Sequence, residues 1–177
     1  EKDISSAWIG VSRIVSKNAI VRFGLAYTYR EGFLTDPYKK NDKRPGERNE
    51  WAFSTGYRHY FFWPDGALQA DYRYFDDDWG VASHTLNLAW HQNLWRDTQL
   101  IPFVRYYSQG EADFFANIAD TDKRYYSDDY RLSSFGAVTV GLRVRQQIGN
   151  WAITAVGERY ETDESWGVYS GDESPAL

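Results

Sequence analysis

Arginines recur on the polar positions of several alternating segments of this sequence, where acidic residues are fewer. The planar guanidinium binds several carboxylate or phosphate oxygens at once, so such a row predicts an interior that favours anions or holds a partner's carboxylates. The alternative is a self-satisfied network of arginine, carboxylate and tyrosine, because buried charges must be paired. Since arginine outnumbers acid, we expect some arginines to need a partner outside the chain. The predicted lumen-lining residues are Arg22, Arg58, Asp71, Arg73, Arg105, Arg143, Arg145 and Glu158.

The segment from Asp76 to Gly80 is the sharpest acidic cluster. Hard carboxylate oxygens suit Ca²⁺ or Mg²⁺, which makes Asp76, Asp77 and Asp78 weak metal candidates. Their spacing is not that of an EF-hand, and three consecutive side chains cannot all point at one ion. We therefore predict no metal site here, and interpret the cluster as a solvated turn or as a brace for its own loop.

Residues for covalent chemistry or for holding a cofactor are sparse. Cysteine is absent, which excludes thiolate metal sites and thioether-linked haem. Ser83 and His84 are adjacent in sequence, so on a strand their side chains point to opposite faces. No glycine-rich phosphate loop is present. We expect neither an enzyme nor a bound cofactor, and a hydrolase assembled from distant strands is kept as the least favoured alternative.

Eight segments of strand length position these residues. In the second, Val21, Phe23 and Leu25 alternate with Arg22 and Gly24, and period-two alternation predicts a strand with two different faces. The first and last strands are ambiguous. A two-residue turn after the first would put Trp8 and Ile14 on the apolar face, and a three-residue turn would put Ile9 and Val11 there. The predicted strands lie near 4–15, 19–30, 51–62, 67–75, 81–92, 98–108, 132–146 and 151–161.

The connections alternate between tight turns and mostly long, acidic loops. Turns at 16–18, 63–66, 93–97 and 147–150 are short, whereas the connections at 31–50, 76–80, 109–131 and after 161 are mostly long. Outer-membrane barrels show this asymmetry, with short periplasmic turns and longer extracellular loops. The pattern therefore predicts an all-β, antiparallel transmembrane β-barrel, with a soluble β-sandwich or barrel as the alternative.

The distribution of aromatic residues also favours a porin-like barrel in the outer membrane of a Gram-negative bacterium. Aromatic residues make up 18% of the chain. On the apolar positions they gather at both ends of the strands, as in the aromatic girdles of membrane barrels. The net charge of −5 gives no reason to expect a nucleic-acid partner. The predicted girdles comprise Tyr27, Tyr29, Trp51, Phe53, Tyr72, Tyr74 and Tyr106 at the long-loop end, and Phe61, Trp90 and Trp151 at the other.

The direction of the strands predicts that residues 1–177 form a single β-barrel domain that is an incomplete segment of a longer barrel. The first strand ends in a tight turn and the eighth runs outward, so both termini would be extracellular, whereas complete bacterial barrels usually have periplasmic termini. An unusual eight-stranded barrel is the alternative. The acidic loops around Asp120, Asp122 and Asp128 could share divalent ions with lipopolysaccharide, or be plain surface.

Several segments resemble an uncharacterised bacterial outer-membrane β-barrel family, a domain of unknown function. The likeness covers nearly the whole chain and corresponds to the family's C-terminal part. The resemblance implies a closing strand beyond Ser174–Leu177 and, from gene context, a role in extracytoplasmic electron transfer with a small lipoprotein or redox protein. It implies no catalytic residues. The segments that carry it are Leu34–Lys39, Arg44-Pro45, Tyr72–Gly80, Arg105–Tyr107, Ala112–Phe114 and Ser127–Ser133.

The leading functional prediction is an outer-membrane scaffold or conduit for such a partner, in contact with lipid and lipopolysaccharide. A passive pore for small anionic solutes is the runner-up. The sequence leaves open whether the loops at 31–50 and 109–131 fold over the interior or outward.

Overall fold

The protein forms one large antiparallel sheet, seen in a computed structural model that describes residues 1–95 and 97–169. Eight long strands follow one another in chain order, each paired with its neighbours. Two short strands, β3 and β8, form a separate ladder. The long strands are β1 (Lys2–Ser16), β2 (Ala19–Gly32), β4 (Glu47–Phe61), β5 (Gly66–Asp77), β6 (Ala82–Asn93), β7 (Thr98–Gln109), β9 (Phe135–Ile148) and β10 (Trp151–Asp163), and the short ones are β3 (Asp42–Lys43) and β8 (Tyr126–Ser127).

The all-β antiparallel architecture and the eight predicted strands are confirmed. The sheet is not closed, however. Within the described residues β1 and β10 are edge strands, each paired on one side only. The region at Ser174–Leu177, where a further strand was predicted to follow, lies outside the described residues. Among the helical segments of the described chain, none is long and apolar enough to cross a membrane.

Strand register divides the sheet into an apolar and a polar face. Across the strands, Val21, Tyr57, Ala70 and Leu88 form one continuous row, and Arg22, Gly56, Asp71 and Asn87 form the neighbouring row on the opposite face. The alternation read from the sequence is thus reproduced strand by strand, because period-two alternation is a local property of an extended chain.

A β-bulge decides the face of β1. The hairpin turns at Lys17-Asn18, but the register shifts between Ile14 and Ser16, so one residue of β1 is unpaired there. This extra residue puts Ile9 opposite Leu25 and Val11 opposite Phe23, on the apolar face. The outcome is the one expected from a three-residue turn, and Trp8 therefore lies on the polar face.

The two longest loops interlock into a cap, here defined as residues 33–46 and 110–134. The β3–β8 ladder joins them, with Asp42 opposite Ser127. Ala112 and Leu132 of the cap form a buried core together with Val81 from the β5–β6 connection, and Phe75 from the polar face packs against it. Gln109 at the end of β7 donates hydrogen bonds to the carbonyls of Arg131 and Ser133. The loops therefore fold over one end of the polar face.

The seventh predicted strand begins three residues later than predicted. Residues Tyr130–Leu132 form a 3₁₀ turn whose N-cap is Asp129, which accepts a hydrogen bond from the Arg131 amide. Leu132 is buried in the cap core instead of joining the sheet. A local capping interaction and a distant hydrophobic contact thus override the strand propensity of this segment.

Candidate functional site

The predicted interior residues lie together on the polar face. Register places Asp71, Asn87, Arg105 and Thr139 side by side in one row across four strands. Arg22 lies two positions from Asp71 in the same row, with Gly56 between them. Each residue comes from a different strand, and the rows exist because every strand alternates in phase with its neighbours.

One ion pair joins two of the predicted residues. Nη2 of Arg58 lies 2.8 Å from Oδ2 of Asp71, and Nε2 of Gln69 donates to the same oxygen at 2.9 Å. The other end of the Gln69 amide, Oε1, lies 3.1 Å from Nε2 of His91. These four side chains, Arg58, Asp71, Gln69 and His91, form a hydrogen-bonded chain in which the charges of Arg58 and Asp71 neutralise each other.

The other predicted arginines have no such neutralisation. Within residues 1–95 and 97–169, none of them has a carboxylate within 4.0 Å. Arg73 and Arg143 instead lie over the rings of Phe75 and Phe103, at 5.3 and 5.7 Å from the ring centroids. Glu158 forms no ion pair with a described residue either. Among the eight predicted residues, ion pairing therefore joins only Arg58 and Asp71. Two other arginines of the polar face, Arg30 and Arg48, pair with Glu50 and Asp77. The unpaired arginines are Arg22, Arg73, Arg105, Arg143 and Arg145, and all five are exposed.

A cavity of about 370 Å³ collects half of the predicted residues. Asp71, Arg105, Arg143 and Glu158 line it, with side chains from five consecutive long strands, β5, β6, β7, β9 and β10. A single cavity shared by five strands indicates that the sheet curves towards its polar face. The other four predicted residues, Arg22, Arg58, Arg73 and Arg145, do not line it. The predicted residues therefore form a lining with one concave part, and not a single site.

Sequence reasoning missed the apolar part of this cavity. Phe103 lies over Gly141, the residue directly opposite it on β9, and an added Cβ at Gly141 would overlap the Phe103 ring. Ile101 is only 4% exposed on the same face. The available signal was the alternation of β7 itself, since Ile101, Phe103 and Arg105 are two residues apart and must share a face.

The Asp76–Asp78 cluster does not converge on one point. Asp77 accepts hydrogen bonds from the backbone amides of Trp79 and Val81, both at 2.9 Å, and from Arg48. Asp78 accepts from the side chain and backbone of Asn49, while Asp76 accepts from the Tyr74 hydroxyl. Asp77 therefore braces its own turn, as one of the two interpretations of the sequence expected.

The cap contains a buried ionic cluster that the sequence did not reveal. Asp129 has no exposed surface and accepts hydrogen bonds from Arg44 and Arg131. Arg131 also pairs with Asp36 of the other loop. Burial alone would raise the pKa of Asp129, but the hydrogen bonds from the two arginines outweigh it and hold the pKa at about 2. The same contacts raise the pKa of Arg131.

One protein family matches nearly the whole sequence. A family described as "Protein of unknown function (DUF3570)" matches residues 1–173. The chain belongs to this family. The match confirms the resemblance to an uncharacterised family. The family description names no activity, so no functional residue can be carried over to this chain. No curated protein and no solved structure matches the sequence.

Proposed function

We propose that this DUF3570 chain forms part of the wall of an outer-membrane β-barrel. The observation that carries this proposal is the apolar face, which no second sheet covers and which only residues 164–169 of the described chain cross, near the cap. Phe23, Leu25 and Phe53 are between 41% and 46% exposed, and the other sheet of the described residues is only the short β3–β8 ladder. A soluble sandwich buries such a face under a second layer, whereas a barrel turns it towards lipid.

Aromatic pairs at both ends of the apolar face support this placement. Tyr27 and Trp51 lie opposite each other near the cap, with ring centroids 4.7 Å apart. Phe61 and Trp90 meet near the tight turns at 5.5 Å. In a barrel wall, rings at both ends of the strands would lie near the two headgroup levels, where amphipathic aromatics are most stable.

The polar face then lines the lumen of a conduit that favours anions. Of the eight predicted lining residues, six are arginines and two are carboxylates, an excess of four positive charges. Only one arginine of the six is neutralised by a carboxylate of the described chain. A confined cationic lining attracts anions and repels cations, since the surrounding walls have a low dielectric constant.

The same excess favours a second function, in which the lumen holds the carboxylates of a polypeptide partner such as a small lipoprotein. The free donors of Arg73 and Arg105 would then be satisfied by that partner. A role in extracytoplasmic electron transfer rests on the family resemblance and stays a prediction.

Planar-bilayer recordings test the conduit. We expect the reversal potential in a KCl gradient to show anion selectivity, and Arg145→Glu to reduce it, because the substitution inverts a charge of the lining outside the cavity. Arg13→Glu is the matched control, since Arg13 pairs with Val21 on the apolar face. Cation selectivity of the unchanged protein would overturn the proposal.

Photo-cross-linking tests the partner. A benzoylphenylalanine introduced at position 73 or 105 should capture a second polypeptide in cells if the lumen holds one. Recovery of the barrel alone from both positions would count against this function while leaving the anion conduit intact.

A further inference from the structure

We propose that the polar-face cavity is a binding site for a small aromatic monocarboxylate. This inference rests on the proposed conduit and names the class of solute that the conduit would hold at this point. The cavity volume of about 370 Å³ lies within the range of small-molecule sites.

Three successive rows of residues build the site. The row nearest the cap contains Asn87, Arg105 and Thr139. The next row contains Ala89, Phe103 and Gly141, followed on β10 by Glu158. Arg143 stands in the third row, opposite Ile101. Same-face rows are spaced by two residues along a strand, so the two arginines flank an apolar strip.

The charge of the site selects a monoanion. Arg58 neutralises Asp71, which leaves Arg105 and Arg143 against Glu158 among the charged lining residues. One positive charge is therefore in excess. A single carboxylate would neutralise it and would accept hydrogen bonds from a guanidinium, the geometry for which arginine is best suited.

Two polar side chains of the site that have no hydrogen-bond partner among the described residues lie beside Arg105. The side chains of Asn87 and Thr139 make no hydrogen bond to any described residue, although they flank Arg105 on either side. On the other side of the cavity the amide of Gln69 is already bonded to Asp71 and His91. Ligand oxygens are therefore expected at the Arg105 side.

The apolar strip selects an aromatic ring. The tip of the Phe103 ring lies over Gly141, where any larger residue would push the ring away, and Ala89 and Ile101 are the other apolar side chains on this side of the cavity. Arg143 already lies 5.7 Å from the centre of the Phe103 ring. A ligand ring can stack on Phe103 in this strip while its carboxylate reaches a guanidinium.

Calorimetric titration of the full chain in lipid nanodiscs tests the site with benzoate as the probe. We expect benzoate to bind about tenfold more tightly than acetate or benzyl alcohol, which lack the ring and the charge respectively. Arg105→Gln should weaken benzoate about tenfold, since it removes the charged donor beside the ligand oxygens. Arg143→Gln should also weaken benzoate, because it removes the positive charge that is in excess at the site. Phe103→Leu should weaken it about threefold, because the stacking surface is lost.

Arg13→Gln is the matched control, because it removes the same charge from the apolar face and should leave benzoate affinity unchanged. A heat-modifiable band in electrophoresis shows for each variant that the sheet is folded. Equal affinity for benzoate and benzyl alcohol, or benzoate binding that survives both arginine substitutions, would overturn the site. If either result is found while the bilayer recordings still show anion selectivity, only the proposed binding site is rejected. If the recordings show no anion selectivity, the proposed conduit is rejected as well.

Discussion

Asp129 joins the two loops of the cap because it binds Arg131 of its own loop and Arg44 of the other loop, 85 residues away in the chain. Arg44 and Arg131 both donate to its carboxylate, at 2.7 and 2.9 Å, and Arg131 extends the cluster to Asp36. A buried acceptor with charged donors contributes more than a surface ion pair, because water does not compete for it.

Acid should loosen the cap through this residue. The pKa of Asp129 is lowered to about 2 in the folded protein, against roughly 3.9 for a free aspartate. A depressed pKa stabilises the folded cap above the pKa of the unfolded state, and this contribution is lost as pH falls from roughly 4 to 2. We expect spin labels at Lys39 and Lys123, one in each loop, to gain mobility over that interval.

Comparing Asp129→Asn with Asp128→Asn at pH 7 distinguishes the contribution of Asp129 from the effect of acid on other groups of the protein. Asp129→Asn should loosen the cap already at pH 7, at a cost of about 1–3 kcal/mol to cap stability. Among the described residues, the Asp128 side chain accepts one hydrogen bond, from Asn41, so Asp128→Asn should leave the labels as immobile as in the unchanged protein. Labels that stay immobile in Asp129→Asn at pH 7 would contradict the prediction.

At the scale of elements, the segment after β10 forms a strap, residues 164–169, across the apolar face near the cap. The Val168 amide donates to Oγ of the buried Ser108, and the Tyr106 hydroxyl donates to the Trp166 carbonyl. At its end the Tyr169 hydroxyl lies 2.7 Å from Nε2 of His84. The strap passes so close over β9 that an added Cβ at Gly136 would overlap the Trp166 backbone.

Gly136→Ala should therefore detach the strap without unfolding the sheet. The added methyl cannot fit under backbone atoms, so the Val168 amide should lose its bond to Ser108 and exchange its hydrogen at least about tenfold faster. Hydrogen exchange of the peptide covering 164–169 measures this. Gly157→Ala is the control, because nothing lies within 4 Å of its added Cβ. Equal exchange in both variants would contradict the prediction.

The strap and the cap also show which elements the sequence could predict. All eight long strands were predicted to within a few residues, because alternation is local. The short strands β3 and β8 were not, since each has two residues and exists only through its partner 85 positions away. The direction of the two long loops, left open by the sequence, was decided by the same contacts.

At the scale of the whole molecule, the two edge strands of the described sheet, β1 and β10, each have one side without a paired strand. β1 is exposed along its whole length, and so is β10. Unpaired backbone amides cost several kcal/mol each in the hydrocarbon of a bilayer. If the chain belongs to a barrel, both edges must be paired there.

We expect the amides of β1 and β10 to exchange in native membranes within about tenfold of those in the central strands β5 and β6. The control is the same protein unfolded in urea, where all four strands should exchange alike and fast. Fast exchange confined to β1 and β10 in the membrane would show open edges, and would contradict the placement of this sheet in a barrel wall.

The sequence alone determined the strands, the tight turns and the two faces of the inner strands, because the physics of an extended chain acts between neighbours. The face of β1 depended on a bulge. The sequence also determined the chemistry of the polar face, since Arg22, Arg105 and Arg143 are placed there by alternation. Only the tertiary structure decided that Arg58 is neutralised while the other five predicted lining arginines have no carboxylate partner among the described residues, that Phe103 fits over Gly141, and that Asp129 joins two loops. Each of these depends on distances between residues far apart in the chain, which register, bulges and loop packing set together.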